Sequence, residues 1–181
     1  MEIETETFDP NKYLVTKPGN KISNQSILRG SQRIILSGKS IIKENTMIRG
    51  DLATTSFGKF CIIEKDCIIK PPYRRFQNQV VFYQLSIGNF NIIGENSVIS
   101  SASIGNFVEI GKNCIIERGC ILKDCCKILD GTILPAETVV APYQIYGGKP
   151  GKLIGTLPES RLEKFQDYCI ELYNSFIPKK K

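Results

Sequence analysis

The chain counts in sixes. From Ile87 it runs Ile87-Gly-Asn-Phe-Asn-Ile, Ile93-Gly-Glu-Asn-Ser-Val, Ile99-Ser-Ser-Ala-Ser, Ile104-Gly-Asn-Phe-Val-Glu, Ile110-Gly-Lys-Asn-Cys-Ile, and on through Ile116, Leu122, Ile128 and Leu134 to Val140. An aliphatic residue opens each unit, a small one (Ser, Thr, Cys or Val) holds the fifth place, and Gly, Asn or Asp fill many places between. Six is neither the period of a helix nor the plain alternation of a half-buried strand. It describes a very short strand and a tight turn, over and over.

Such units make the sides of a triangular coil, and stacked coils make a left-handed parallel β-helix of hexapeptide repeats. About eighteen residues close one turn, and strands of successive coils lie about 4.8 Å apart. The first place fills the axis and the fifth turns inward beside it. Upstream the same register passes through Ile22, Leu28, Leu36, Ile42, Ile48, Phe57, Ile63 and Ile69, with a slip near Ser31 to Ile34 and three extra residues at Thr54-Thr55-Ser56. The whole predicts an all-β solenoid of about eighteen hexads, or about six coils, and a single domain.

Cys61, Cys67, Cys114, Cys120 and Cys126 stand at fifth places, where Ser97, Ser103, Thr132 and Thr138 also stand. Small thiols packed under an aliphatic ladder explain that spacing. Stacked in threes, Cys67 falls under Ser97, Cys114 over Ser97 and Cys126 over Val108, so no two become neighbours. Free thiols are expected, as a reducing compartment leaves them. No paired Cys-x-x-Cys spacing argues for zinc.

The ends differ from the middle. Residues 1–21 read as a polar N-terminal segment and a first strand, Tyr13-Leu-Val-Thr, closed by the turn Pro18-Gly19-Asn20. The solenoid is expected over 22–146, and an exit segment, one C-terminal α-helix and a basic tail over 147–181. Thr156-Leu-Pro-Glu and Ser160-Arg-Leu-Glu both have capping-box spacing. Leu162, Phe165, Cys169, Leu172 and Phe176 form one apolar stripe that Pro178 ends. Glu159, Glu163, Asp167 and Glu171 make the other face too negative for a membrane surface. No apolar run approaches the eighteen or so residues of a membrane span, and the acidic opening Met1-Glu-Ile-Glu-Thr-Glu is the opposite of a transit peptide. A cytosolic protein without membrane insertion is expected.

Within 70–86 the period breaks for an insert beginning Lys70-Pro-Pro-Tyr-Arg-Arg-Phe. Tyr73, Arg74, Arg75, Phe76, Phe82 and Tyr83 combine aromatic and guanidinium groups of the kind enriched at protein interfaces. Two readings stay open, a loop folded back over the solenoid wall and a partner-contact surface. One arginine pair without a wider basic patch argues against nucleic acid.

The chain has no histidine. Imidazole is the side chain that supplies both a neutral metal ligand and a base near physiological pH, so its absence removes the usual routes to catalysis. The fragment Ile48-Arg49-Gly50-Asp51-Leu52-Ala53 with Phe57-Gly58 resembles the coil that opens the active-site region of gamma-class carbonic anhydrases. Those enzymes hold zinc with histidines, so here Arg49 and Asp51 read as an ion pair shaping a coil corner at a protein contact. The exit segment Ala141 to Lys152 resembles that of hexapeptide acyltransferases, where it lies near a coenzyme A phosphate; the plain turn that lets the chain out of the solenoid is the preferred reading. No catalytic residue, cofactor or metal is expected.

A closer resemblance spans Tyr13 to Glu159. Gly19-Asn20-Lys21, Gly30-Ser31-Gln32, the Ile48–Ala53 fragment, Pro71-Pro72-Tyr73-Arg74-Arg75-Phe76, Leu122-Lys-Asp-Cys-Cys-Lys-Ile-Leu-Asp130, Leu134-Pro-Ala-Glu-Thr-Val-Val140 and Leu157-Pro-Glu are similar, in order and spacing, to the dynactin subunit 5 family. The resemblance implies a noncatalytic subunit of the dynactin pointed-end complex. It would stack on a second β-helical subunit beside an actin-related protein and the large pointed-end subunit, help cap the actin-related filament, and support dynein and cargo-adaptor engagement. It also implies a cytoplasmic, microtubule-associated location that extends to the kinetochore. The alternative is a histidine-free, carbonic-anhydrase-like structural subunit that self-trimerises.

Overall fold

The computed structural model describes residues 2–181; Met1, first residue of the segment read as 1–21, lies outside the described residues. Three parallel walls form a triangular solenoid of six coils with one α-helix near its C-terminus, as the period of six predicts. Two walls hold six strands each, and the third holds nine, whose first and last strands run antiparallel to the rest. The first wall runs from Ile27–Arg29 to Ile133–Leu134, the second from Ile34–Gly38 to Val139–Val140, and the third from Tyr13–Val15 to Lys152–Thr156.

First-place residues meet their counterparts coil by coil: Leu28 with Ile48, Ile69 with Ile99, Ile116 with Leu134. From Ile42 to Val140 these axial side chains are all but completely buried. The corners need left-handed backbone, which Asn and Asp adopt at little cost. Asn45, Asp66, Asn96 and Asn113 accordingly turn one corner with positive φ. Their neighbours stitch coils together, the Asn96 amide donating to Asn113 Oδ1 at 2.8 Å and the Lys112 amide N–H to Asp130 Oδ1 at 2.8 Å. At another corner the positive-φ residues are Phe60, Phe90 and Phe107, whose rings stack nearly parallel at 5.2 and 5.3 Å. Stacking energy offsets the backbone cost there.

All seven cysteines are buried free thiols. The Cys114 amide donates to Ser97 Oγ at 3.1 Å, so that column alternates Cys67, Ser97, Cys114, Thr132 in the predicted order. One fifth-place assignment fails. The hexad opened by Ile99 is a residue short, so Ser103 is the half-buried strand neighbour of Ile104, and Ala102 takes the place two before it.

The third wall is covered and the other two are not. Outward neighbours of the axial residues are exposed on the first wall, as at Ile68 and Ile115, whereas Ile41 and Ile62 are 1% exposed under the covering elements. The helix, Arg161–Ser175, buries Phe165 and Cys169 against this wall. Neither capping box forms a cap: Ser160 precedes the helix in right-handed helical geometry, and its side chain makes no capping hydrogen bond. The helix also stops short of Phe176. Residues Phe176–Pro178 form a strand parallel to Glu6–Phe8, in the segment read as merely polar. Phe8, Tyr13 and Phe176 pack together with ring centroids 4.8 to 5.3 Å apart, over Ile41 and Ile62. This clasp holds both chain ends against the third wall.

Candidate interaction surfaces

The residues singled out within 70–86 form a β-hairpin between two walls. Tyr73–Phe76 pairs antiparallel with Gln79–Phe82, and the turn is Gln77-Asn78 with both residues at positive φ, the requirement of a two-residue hairpin. The insert is partly folded in and partly exposed. Tyr73 and Phe82 turn toward each other at 5.9 Å and are half-buried, while Phe76 at the tip and Tyr83 at the base are 66% and 49% exposed. The exposed valines Val80 and Val81 extend the apolar surface.

Arg49 and Asp51 make a two-pronged ion pair, Nε to Oδ1 at 2.9 Å and Nη2 to Oδ2 at 3.1 Å. The hydrogen bonds from Arg49 hold the Asp51 carboxyl below its usual range. The pair closes the corner after Met47–Arg49, and the corner of the preceding coil nests against it. Gly30 there has φ +65°, and a Cβ on it would stand 2.5 Å from the Asp51 nitrogen. The hairpin leaves the same edge of the prism one coil later.

Arg49 and Asp51 are not among the residues lining the groove beside the hairpin. Tyr73, Arg74 and Arg75 line that groove, of about 700 Å³, together with Arg118 and Glu137 from later corners of the same edge. Arg118 lies 5.9 Å from the Tyr73 ring centroid and 3.6 Å from Glu137. Sequence reasoning misses Arg118 and Glu137 because each is an ordinary solvent-facing place in its hexad; the signal that finds them is the corner they share with the insert.

Burial raises the thiols, Cys61 and Cys126 to about 12 and Cys67 to about 11, so they stay protonated at neutral pH. Among the described residues no group of three or more His, Cys, Asp or Glu side chains comes together to hold a metal ion, and no helix is long and apolar enough to cross a membrane.

The two ends of the solenoid are unlike. At the C-terminal end the chain folds back over its own axis. The Gly151 amide donates to the Ile133 carbonyl at 2.7 Å, the Ile133 amide to the Gly148 carbonyl at 3.1 Å, and Leu134 and Val140 are fully buried. At the N-terminal end Ile22, Leu28, Ile34 and Leu36 are only half-buried, and Ile27–Arg29 and Ile34–Gly38 are the outermost strands of their walls. Leu14, Val15, Ile27 and Ile35, all exposed, surround that end.

Known proteins similar to this one fall into two groups. By structure, the chain resembles a hexapeptide transferase family protein from Anaplasma phagocytophilum, with a TM-score of 0.67 at 18% identity, covering 86% of this chain and 89% of that one. It also resembles an N-acyltransferase from Bacillus cereus, solved with dTDP and coenzyme A, with a TM-score of 0.68 at 11% identity and coverage of 83% and 88%. At such identities the likeness is one of fold. By sequence, it is 45% identical over 179 residues to dynactin subunit 5 of Dictyostelium discoideum, covering 98% of this chain and 90% of the relative. The family model for dynactin subunit 5 matches residues 1–181. With its hexad coils, the inserted hairpin and this end-to-end match, the chain belongs to the dynactin subunit 5 family.

Proposed function

We propose that this dynactin subunit is a noncatalytic scaffold of the pointed-end complex, and that it stacks through its N-terminal end on a second β-helical subunit. Together they help cap the actin-related filament, beside an actin-related protein and the large pointed-end subunit. The assembly supports dynein-dependent engagement of cargo adaptors in microtubule transport, in the cytoplasm, on the cytoskeleton and at the kinetochore. The edge bearing Arg49, Asp51, Tyr73, Arg74, Arg75, Phe76, Phe82 and Tyr83 is its lateral contact surface.

The inequality of the two ends carries this reading. A solenoid end is a row of unpaired backbone groups over an unfinished core, which must be capped or paired. The C-terminal end is capped by residues 148–151, whereas the N-terminal axis ends in half-buried Leu28 and Leu36. A second solenoid, with the same coil spacing, is the shape that continues those walls. The lack of histidine and the protonated, buried thiols support a structural role.

The test is the native mass and composition of whatever copurifies with a gently tagged copy from its own cells. The expected result is a megadalton assembly containing an actin-related filament and a second β-helical chain. A bare homotrimer, above all one carrying zinc, overturns the reading. Alanine changes at Arg74, Arg75 and Phe76 are expected to leave the β-helical partner bound while weakening lateral contacts.

A further inference from the structure

The third wall ends in a strand that has no neighbour on one side. Lys152–Thr156 pairs antiparallel with Gln144–Gly147 and is the last of nine strands, so its outer edge offers unpaired backbone donors and acceptors. It also exposes apolar side chains. Leu153 is 51% exposed and Ile154 57% exposed, at the irregularity where Tyr146 pairs with Leu153 and Ile145 with Gly155, leaving Ile154 as the extra residue. Elsewhere on the third wall, the outward Ile41 and Ile62 lie under the helix and the terminal clasp.

Edge strands in stable proteins are commonly blunted by lysine, proline or a bulge. Here the register shifts at Ile145/Tyr146, and Lys152 opens the strand, which limits the usable edge to about four or five residues. Within that length Leu153 and Ile154 remain unprotected. The basic end of the strand is marked by Lys149 and Lys152, both exposed, while the nearest carboxylate along the chain, Glu159, follows the other end.

We propose that the Lys152–Thr156 edge is a docking site for one short extended segment of another protein, which adds to the third wall as a tenth strand. Main-chain hydrogen bonds supply the attachment. The incoming segment carries adjacent apolar residues to lie beside Leu153 and Ile154, flanked by acidic residues that meet Lys149 and Lys152. The site lies at the end of the solenoid opposite the stacking surface and does not depend on it.

The probe is the blocked heptapeptide Thr-Glu-Val-Ile-Val-Glu-Thr, whose near-palindromic pattern suits either strand direction, added to the full chain. The expected result is slowed amide hydrogen exchange confined to residues 152–156, with binding that weakens as salt rises. Substituting proline at the central position of the peptide is expected to cost about tenfold or more in affinity, because it removes a donor. Ile154→Glu should weaken binding similarly while melting like the unmodified chain. The proposal is overturned if exchange at 152–156 is unchanged up to about 1 mM peptide, if the proline peptide binds equally, or if Ile154→Glu has no effect. It is also overturned if the native mass doubles with concentration and Ile154→Glu abolishes the doubling, since a second copy of the chain then occupies the edge.

Discussion

Ile116 has no exposed surface and sits in the middle of the axial ladder, between Ile99 and Leu134. Truncating it leaves a hole that close-packed neighbours cannot refill, so Ile116→Ala is expected to cost about 2–5 kcal/mol in chemical denaturation. Ile116→Lys would place an unpaired charge on the axis and should leave no cooperative melt; a lysine variant that melts like the parent would refute the register. Gly30 supplies a different kind of constraint, since φ +65° and the Asp51 backbone both exclude a side chain. The thiols make a pH prediction. Burial raises them, so between about 8.5, where unfolded thiols ionise, and the raised folded values the native state holds more protons than the unfolded one. Stability should therefore fall as pH rises above about 8.5, and melting temperatures between pH 8 and 11 check the sign. At pH 8 a thiol reagent should label the native chain slowly and all seven cysteines once it is unfolded.

The helix owes its position to contacts from elements distant in sequence. Its last turn carries no basic residue of its own, and Lys21 Nζ supplies the missing cation by donating to the Tyr173 carbonyl at 2.9 Å and the Phe176 carbonyl at 2.6 Å. Those carbonyls are the helix end that a cation stabilises. Lys21→Met is therefore expected to lower stability by about 1–2 kcal/mol in thermal or urea melts, with the loss reported first by the helix. Phe176→Ala should cost more, about 3–5 kcal/mol, because its ring fills the cluster of Phe8 and Tyr13. Beneath the same clasp Lys43 is paired with Glu6 at 2.8 Å and Glu64 at 3.0 Å. Burial works against its charge, but the two carboxylates outweigh burial and raise its pKa. The inserted hairpin is held differently, by a Gln77-Asn78 turn whose left-handed backbone the sequence does not advertise with glycine.

The molecule as a whole is a prism whose axis is covered at the C-terminal end and left half-open at the N-terminal one. If the N-terminal end is the stacking surface, charges placed on its exposed rim should block assembly without unfolding the chain. Ile27 and Ile35 are 44% and 52% exposed, so Ile27→Lys with Ile35→Lys is expected to keep the melting temperature within a few degrees while abolishing copurification of the second β-helical subunit. Val139→Lys, on an equally exposed wall position near the other end, is the control that should leave it intact. Loss of the partner from the control alone would move the stacking surface to the C-terminal end.

Much of this architecture is local in origin and so could be read from the chain. A first-place residue finds its partner one coil away, so the period alone determined the three walls, the axial ladder from Ile42 to Val140 and the column of Cys67, Ser97, Cys114 and Thr132. Where the period loses a residue, at Ile99 to Ile104, Ser103 is shifted into the strand and Ser101 is the residue fully buried there. Contacts between elements far apart in sequence were decided only by the tertiary structure. Glu6–Phe8 and Phe176–Pro178 are unremarkable as separate triplets and become strands because each completes the other. Arg118 and Glu137 join the hairpin groove because stacking brings three corners to one edge. The open N-terminal end and the closed C-terminal one likewise depend on where residues 148–151 fold, a choice set by packing on Ile133 and Leu134 and not by any pattern within the segment itself.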